Sequence, residues 1–177
     1  MSVEYFDIDL FQDYLQDVCE KNKLVAHLKT LPGQPRPQHS FARFESDEQV
    51  SLITNTGGQN IVVVADVFGQ RTGDPDDGRI RYTVQLRFAA KKAAGTGDET
   101  DAVNTAVRTA EMIMLQFVAK FEKDFQEGCN ALEEFEPERV TWNKIEDQPW
   151  LDNFYGWDLN LSFGSYMLAY DVNDWEA

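Results

Sequence analysis

The stretch RIRYTVQLRF, residues 79–88, alternates without error between apolar and polar side chains. Ile80, Tyr82, Val84, Leu86 and Phe88 share one parity; Arg79, Arg81, Thr83, Gln85 and Arg87 share the other. Successive side chains of a strand point to opposite faces, so this run is a strand with one face on a core. A second run, FYGWDLNLSF, repeats the pattern: Trp157, Leu159, Leu161 and Phe163 oppose Asp158, Asn160 and Ser162. Two such strands need an apolar layer to cover them. Between them, Val103, Val107, Ala110, Met114, Phe117 and Phe121 recur in steps of four and three, the stripe of an amphipathic helix. Ile113, Val118 and Phe125 widen that stripe, as for a helix pressed onto a sheet. It begins near Asp98 or Thr100 and stops at Gly128, a natural C-terminal cap.

A first helix is expected from Asp7 or Asp9. Asp9 and Gln12 have the spacing of a capping box, and Phe11, Tyr14, Leu15, Val18, Val25 and Leu28 follow at helical spacing. TLPGQPRPQHS holds Pro32, Pro35 and Pro37 and reads as an extended connector near residues 30–40. SLIT reads as a short strand and TNTGGQN as a turn. Ile61 to Phe68 suits a central strand covered on both faces, and QRTGDPDDG is a further turn. FEPERVTWNKIE is expected to be a strand broken by Pro137, with QPWLDN turning into the last strand. The order α-β-β-β-α-β-β implies an α+β fold, a mainly antiparallel sheet packed against two helices. Residues 1–177 read as one domain, with a possible C-terminal arm over 164–177 that carries Tyr166, Tyr170 and Trp175.

The chain has 31 acidic against 16 basic residues, a net charge of −15. Phosphate binding draws on Lys and Arg, so this balance disfavours nucleic-acid binding and anionic membranes. The longest wholly apolar run, IVVVA, is too short to span a bilayer, and the N-terminus lacks a secretory pattern. Cys19 and Cys129 make neither a disulfide framework nor a metal site and read as reduced, partly buried thiols in a cytosolic setting.

Candidate chemistry is sparse. GDPDDG offers carboxylates to a hard cation but lacks the spacing of a calcium loop, and its residues are those of a hairpin turn. His27, placed on the first helix, and His39 stand apart from any zinc-ligand spacing and read as surface histidines; Ser40 lies outside any nucleophile elbow. TNTGGQN and GTGDET lack the phosphate-loop pattern. The pairs Glu133/Glu134 and Glu136/Glu138 suit a solvated face. No cofactor is implied. Arg79, Arg81 and Arg87, on one face of one strand, leave two readings open: cross-strand pairing with acids, Asp158 among them, or a positive strip that docks on a neighbouring subunit. Tyr166, Tyr170 and Trp175 pose the same choice between folding back on the core and joining that subunit interface.

The element order, with IVVVADVFGQ and RYTVQLRFAA as a central hairpin and W-x-L-x-L-x-F after Asp152 as the last strand, resembles the tail terminator and tail-completion proteins of long-tailed bacteriophages. The resemblance covers Ser51 to Phe163. It implies a non-enzymatic phage or prophage virion protein, a homo-oligomeric ring at the head-proximal end of the tail that meets the tail tube and head connector. Its setting would be the bacterial cytoplasm during assembly and then the virion. The alternative is an acidic DNA-mimic or other inhibitory binding protein, which needs its carboxylates gathered on one face. An enzyme of small acidic substrates or sugars has only scattered carboxylates behind it.

Overall fold

The computed structural model describes residues 6–30, 32–72, 79–94, 98–145, 151 and 153–166. Helix α1 spans Ile8–Lys21, β1 Phe41–Ala42, α2 Asp47–Asn55, β2 Asn60–Thr72, β3 Arg79–Lys91, α3 Glu99–Gln126, β4 Thr141–Lys144 and β5 Phe154–Tyr166. The strands form one sheet in the order β1-β2-β3-β5-β4, antiparallel except for the parallel β1–β2 pair. The fold is α+β as the patterning implies, with three described helices rather than two.

The cap of α1 is Asp7, not the Asp9–Gln12 pair. Asp7 Oδ1 accepts the N–H groups of Asp9 and Leu10, both at 3.0 Å. Gln12 is instead buried, and its Nε2 donates to the Arg43 carbonyl at 3.1 Å. The helix ends at Lys21, short of Val25 and Leu28. There Asn22 Oδ1 accepts the N–H groups of Leu24 and Val25, a local turn that competes with helix continuation.

SLIT lies within α2, not in a strand. Ser46 caps that helix by accepting the Gln49 N–H at 3.4 Å, while Gln49 Oε1 accepts from the Phe44 N–H. Helix α3 follows its expected bounds: Asp98 caps its start, and Gly128 beyond its end takes φ +78°.

Both alternating runs place their apolar parity on one face. Val84, Leu86 and Phe88 of β3 meet Leu159, Leu161 and Phe163 of β5 beneath Phe117 and Phe121 of α3 and Phe11 and Leu15 of α1. Each fully buried Phe or Leu of this layer contributes about 1.5–3 kcal/mol. On the opposite face Ile53 of α2 packs with Ile61, Val63, Ala89 and Phe154, so one end of the sheet is covered on both sides.

β2 changes character along its length. Ile61–Val64 is buried, whereas Asp66–Arg71 is exposed, so the expected two-sided cover stops halfway. A bulge between Val64 and Asp66 shifts the register by one residue and preserves the facing: Val64 opposes Leu86, and Val67 opposes Val84. The interruption at Pro137 is also present. Phe135 bridges Phe163, a 3₁₀ turn occupies Pro137–Arg139, and β4 resumes against Trp157–Asn160. Gly164–Tyr166, where the arm was expected to begin, are the last residues of β5, and Tyr170 and Trp175 lie outside the described residues.

Candidate functional site

The face of the sheet turned away from α1 and α3 carries the arginine row. Arg87 and Asp158 oppose each other in register, and Arg87 Nε and Nη2 donate to Asp158 Oδ1 and Oδ2 at 2.8 and 3.2 Å. Arg87 Nη1 also donates to Glu45 Oε2 at 3.0 Å. Arg81 Nε donates to Glu136 Oε2 at 2.7 Å, and Arg139 reaches the same carboxylate at 3.4 Å. That hydrogen bond raises the Arg81 pKa. Burial works to raise the Glu136 pKa, but hydrogen bonds from Arg81 and Ser162 outweigh it and hold the carboxyl below its ordinary value. Between the ion pairs, Gln85 Nε2 donates to Asn160 Oδ1 at 3.3 Å.

Arg87 thus pairs across strands with Asp158, whereas Arg81 is ion-paired with Glu136, just before the 3₁₀ turn and outside the strands. Arg79 sits opposite Tyr166 at the far end of the same pairing.

The edge of the sheet differs. β1 pairs with β2 only at Val62 and Val63. From Val67 to Gln70, β2 has no strand partner on its outer side among the described residues. Phe68 is 50% exposed there and Val67 36%. Asp66 Oδ1 accepts the Val67 N–H at 2.8 Å. Gly69 lies 3.1 Å, at its would-be Cβ, from the Tyr82 ring, which leaves little room for a side chain. The sequence did not reveal this edge, because IVVVADVF reads as a uniformly buried strand and only the strand order uncovers its second half.

A third cluster gathers where the loop after α1 meets β1. His27, expected on the surface, is 5% exposed, because Asn22 turns the chain inward before it. Its Nδ1 accepts the N–H groups of Ser40 and Phe41 at 3.0 and 3.2 Å. Burial, with His39 nearby at 5.7 Å between ring centroids, lowers the His27 pKa to about 4. Gln38 Nε2 ties the same loop by donating to the Val25 and Ala26 carbonyls at 2.8 and 3.2 Å.

The remaining candidates carry less. Cys19 is fully buried, and burial pushes its thiol pKa well up, away from reactivity. Tyr14 donates to the buried Asp124 at 2.7 Å, a contact inside the helical layer. A cleft of about 330 Å³ between the start of α3 and the ends of β2 and β3 is lined by small residues with Lys91 and Asp101. GDPDDG falls outside the described residues, and among those described no three His, Cys, Asp or Glu side chains gather to hold a metal ion. No described helix is long and apolar enough to cross a membrane.

No family model, curated protein or solved structure matches this chain.

Proposed function

We propose that the protein is a non-enzymatic assembly protein whose subunit contact is made along the outer edge of β2. The observation that carries this reading is the Val67–Gln70 edge, which couples main-chain groups without a strand partner among the described residues to the exposed Phe68 ring. An incoming strand gains main-chain hydrogen bonds from such an edge and specificity from alternate side-chain pockets. Asp66 and the adjacent bulge moderate it, since charge and irregularity protect edges from indiscriminate pairing.

The finer assignment draws on the resemblance to tail terminator and tail-completion proteins. On that reading the chain is a phage or prophage virion component that forms a ring between tail tube and head connector, assembled in the bacterial cytoplasm. The DNA-mimic alternative fits less well. It asks for carboxylates that face solvent in a row, whereas Asp158, Glu136 and Asp124 are each paired with a cation of the same chain.

Light scattering across protein concentration tests the contact. The expected result is a mass that rises above the 20.3 kDa monomer and falls back when Phe68 becomes Lys. A strict monomer at every concentration, or an assembly indifferent to Phe68→Lys, overturns the β2-edge reading.

A further inference from the structure

We propose that His27 is an acid-operated latch that holds β1 on the outer edge of β2. The latch is made of hydrogen-bond geometry rather than charge alone. The Nδ1 lone pair of His27 is the shared acceptor for two successive backbone donors, Ser40 N–H and Phe41 N–H. Those two residues lead directly into the parallel pairing with β2, where Val62 N–H donates to the Ser40 carbonyl at 2.8 Å. The residue is itself fixed through its main chain, its backbone N–H donating to the Cys19 carbonyl of α1 at 3.2 Å. It is flanked by Ala26 and Leu28, both in the left-handed region at φ 49° and 56°. Non-glycine residues stay there only where their surroundings over-determine them.

Protonation reverses the chemistry at one atom. An imidazolium carries N–H groups at both ring nitrogens, so Nδ1 would face two donors and accept from neither. Both hydrogen bonds to the β1 segment are lost together. Among the described residues, two titratable side chains act electrostatically on the ring. Glu20 from α1 favours the cation, and His39 from the connector opposes it; Phe41 of β1 presents its ring edge-on at 5.8 Å and brings no charge. Burial outweighs Glu20, so the neutral ring persists well below the ordinary histidine range.

Opening the latch frees the part of the β2 edge that β1 covers, Val62 and Val63. That segment runs on toward the Val67–Gln70 edge. Under the assembly reading, on which this last step alone rests, acid would lengthen the contact surface.

The test is amide exchange read residue by residue, with protection at Ser40, Phe41 and Val62 compared with Leu86 and Leu159 in the central strands. Between pH 7 and 4 the ratio should fall on the order of 100-fold, the factor that a pKa of about 4 when latched and 6.5 when open implies. His27→Gln, which keeps an acceptor but cannot titrate, should hold that ratio constant. The wild-type ring should report the neutral form protonated on Nε2 in nitrogen chemical shifts until about pH 4. A ring that titrates near its ordinary value, a ratio that does not move with pH, or a pH-dependent ratio that survives His27→Gln overturns the latch. Solution mass at pH 4 reads the assembly step separately. A latch that opens while the protein remains monomeric keeps the latch and removes the assembly reading.

Discussion

Arg87 and Asp158 close a two-point contact across β3 and β5, at 2.8 and 3.2 Å, with both side chains largely buried. Asp158→Ala removes that two-point contact while Arg87 Nη1 still donates to Glu45 Oε2. The expected cost is about 3 kcal/mol, because a buried charge that loses its partner keeps its desolvation penalty. Replacing both residues, Arg87→Met with Asp158→Leu, should recover most of that loss. Urea denaturation of the single and double variants measures the difference, and a double variant no better than Asp158→Ala would refute the account.

Gly156 is a packing requirement. A Cβ at this position would lie 1.8 Å from the Phe88 carbonyl oxygen and 2.8 Å from the Ala89 Cα, both backbone atoms that cannot swing aside. Gly156→Ala should therefore separate β5 from β3 at this point and cost more than about 3 kcal/mol, in the range of severe core overpacking. Thermal melting followed by circular dichroism should show a variant that is largely unfolded or melts far below wild type. A shift within a few degrees would contradict the strand approach described.

The pH dependence of stability has two windows of the same sign. The folded His27 pKa is lowered from 6.5 to about 4, so the unfolded chain binds the extra proton first. The stability that its neutral form contributes is intact above pH 6.5 and is lost as pH falls toward 4, about 3 kcal/mol in all. Asp124 and Glu136, whose pKa values are lowered by their hydrogen-bonded partners despite burial, contribute stability that is lost at still lower pH, through their folded values. Denaturant midpoints between pH 7 and 4.5 should fall for wild type and stay nearly flat for His27→Gln. Parallel slopes for the two proteins would place the titrating group elsewhere.

Phe68 should matter to association and not to folding. Its ring is half exposed on an outlying part of the sheet, so Phe68→Lys should change monomer stability by no more than about 0.5 kcal/mol. The same variant should raise the concentration needed for half-assembly by about tenfold or more, as loss of one central aromatic contact does. Sedimentation and melting curves on one preparation check both halves.

What could be read from the chain was whatever repeats. Ile80 through Phe88 and Trp157 through Phe163 announce their faces because two-residue alternation survives in them unbroken. Met114, Phe117 and Phe121 announce α3 in the same way. Local chemistry that ran against the apolar pattern was harder to read. Val25 and Leu28 continue a helical spacing that Asn22 terminates, and β-branched Ile53 and Thr54 obscured the Ser46–Gln49 cap of α2. The bulge at Ala65 and the incomplete cover of β2 belong to pairing between distant segments, which no window along IVVVADVF contains. The burial of His27 is hidden from the sequence for that reason too, since its role depends on Ser40 and Phe41 across a proline-rich connector.

Pro137 gives the sheet a handed sociability. On the β5 side the outermost strand among the described residues is split into the Phe135 bridge and the four residues of β4, with a 3₁₀ turn between them that cannot template a continuous neighbour. The β2 side is the more receptive margin. Two copies that join by like margins satisfy each other about a two-fold axis and stop at a pair, whereas a ring requires each copy to offer its receptive margin to an unlike surface of the next. The stoichiometry at saturation therefore reports the symmetry of the contact directly: a mass that halts at two copies means a self-complementary seam, and a larger closed number means that β2 has found a different surface on its neighbour.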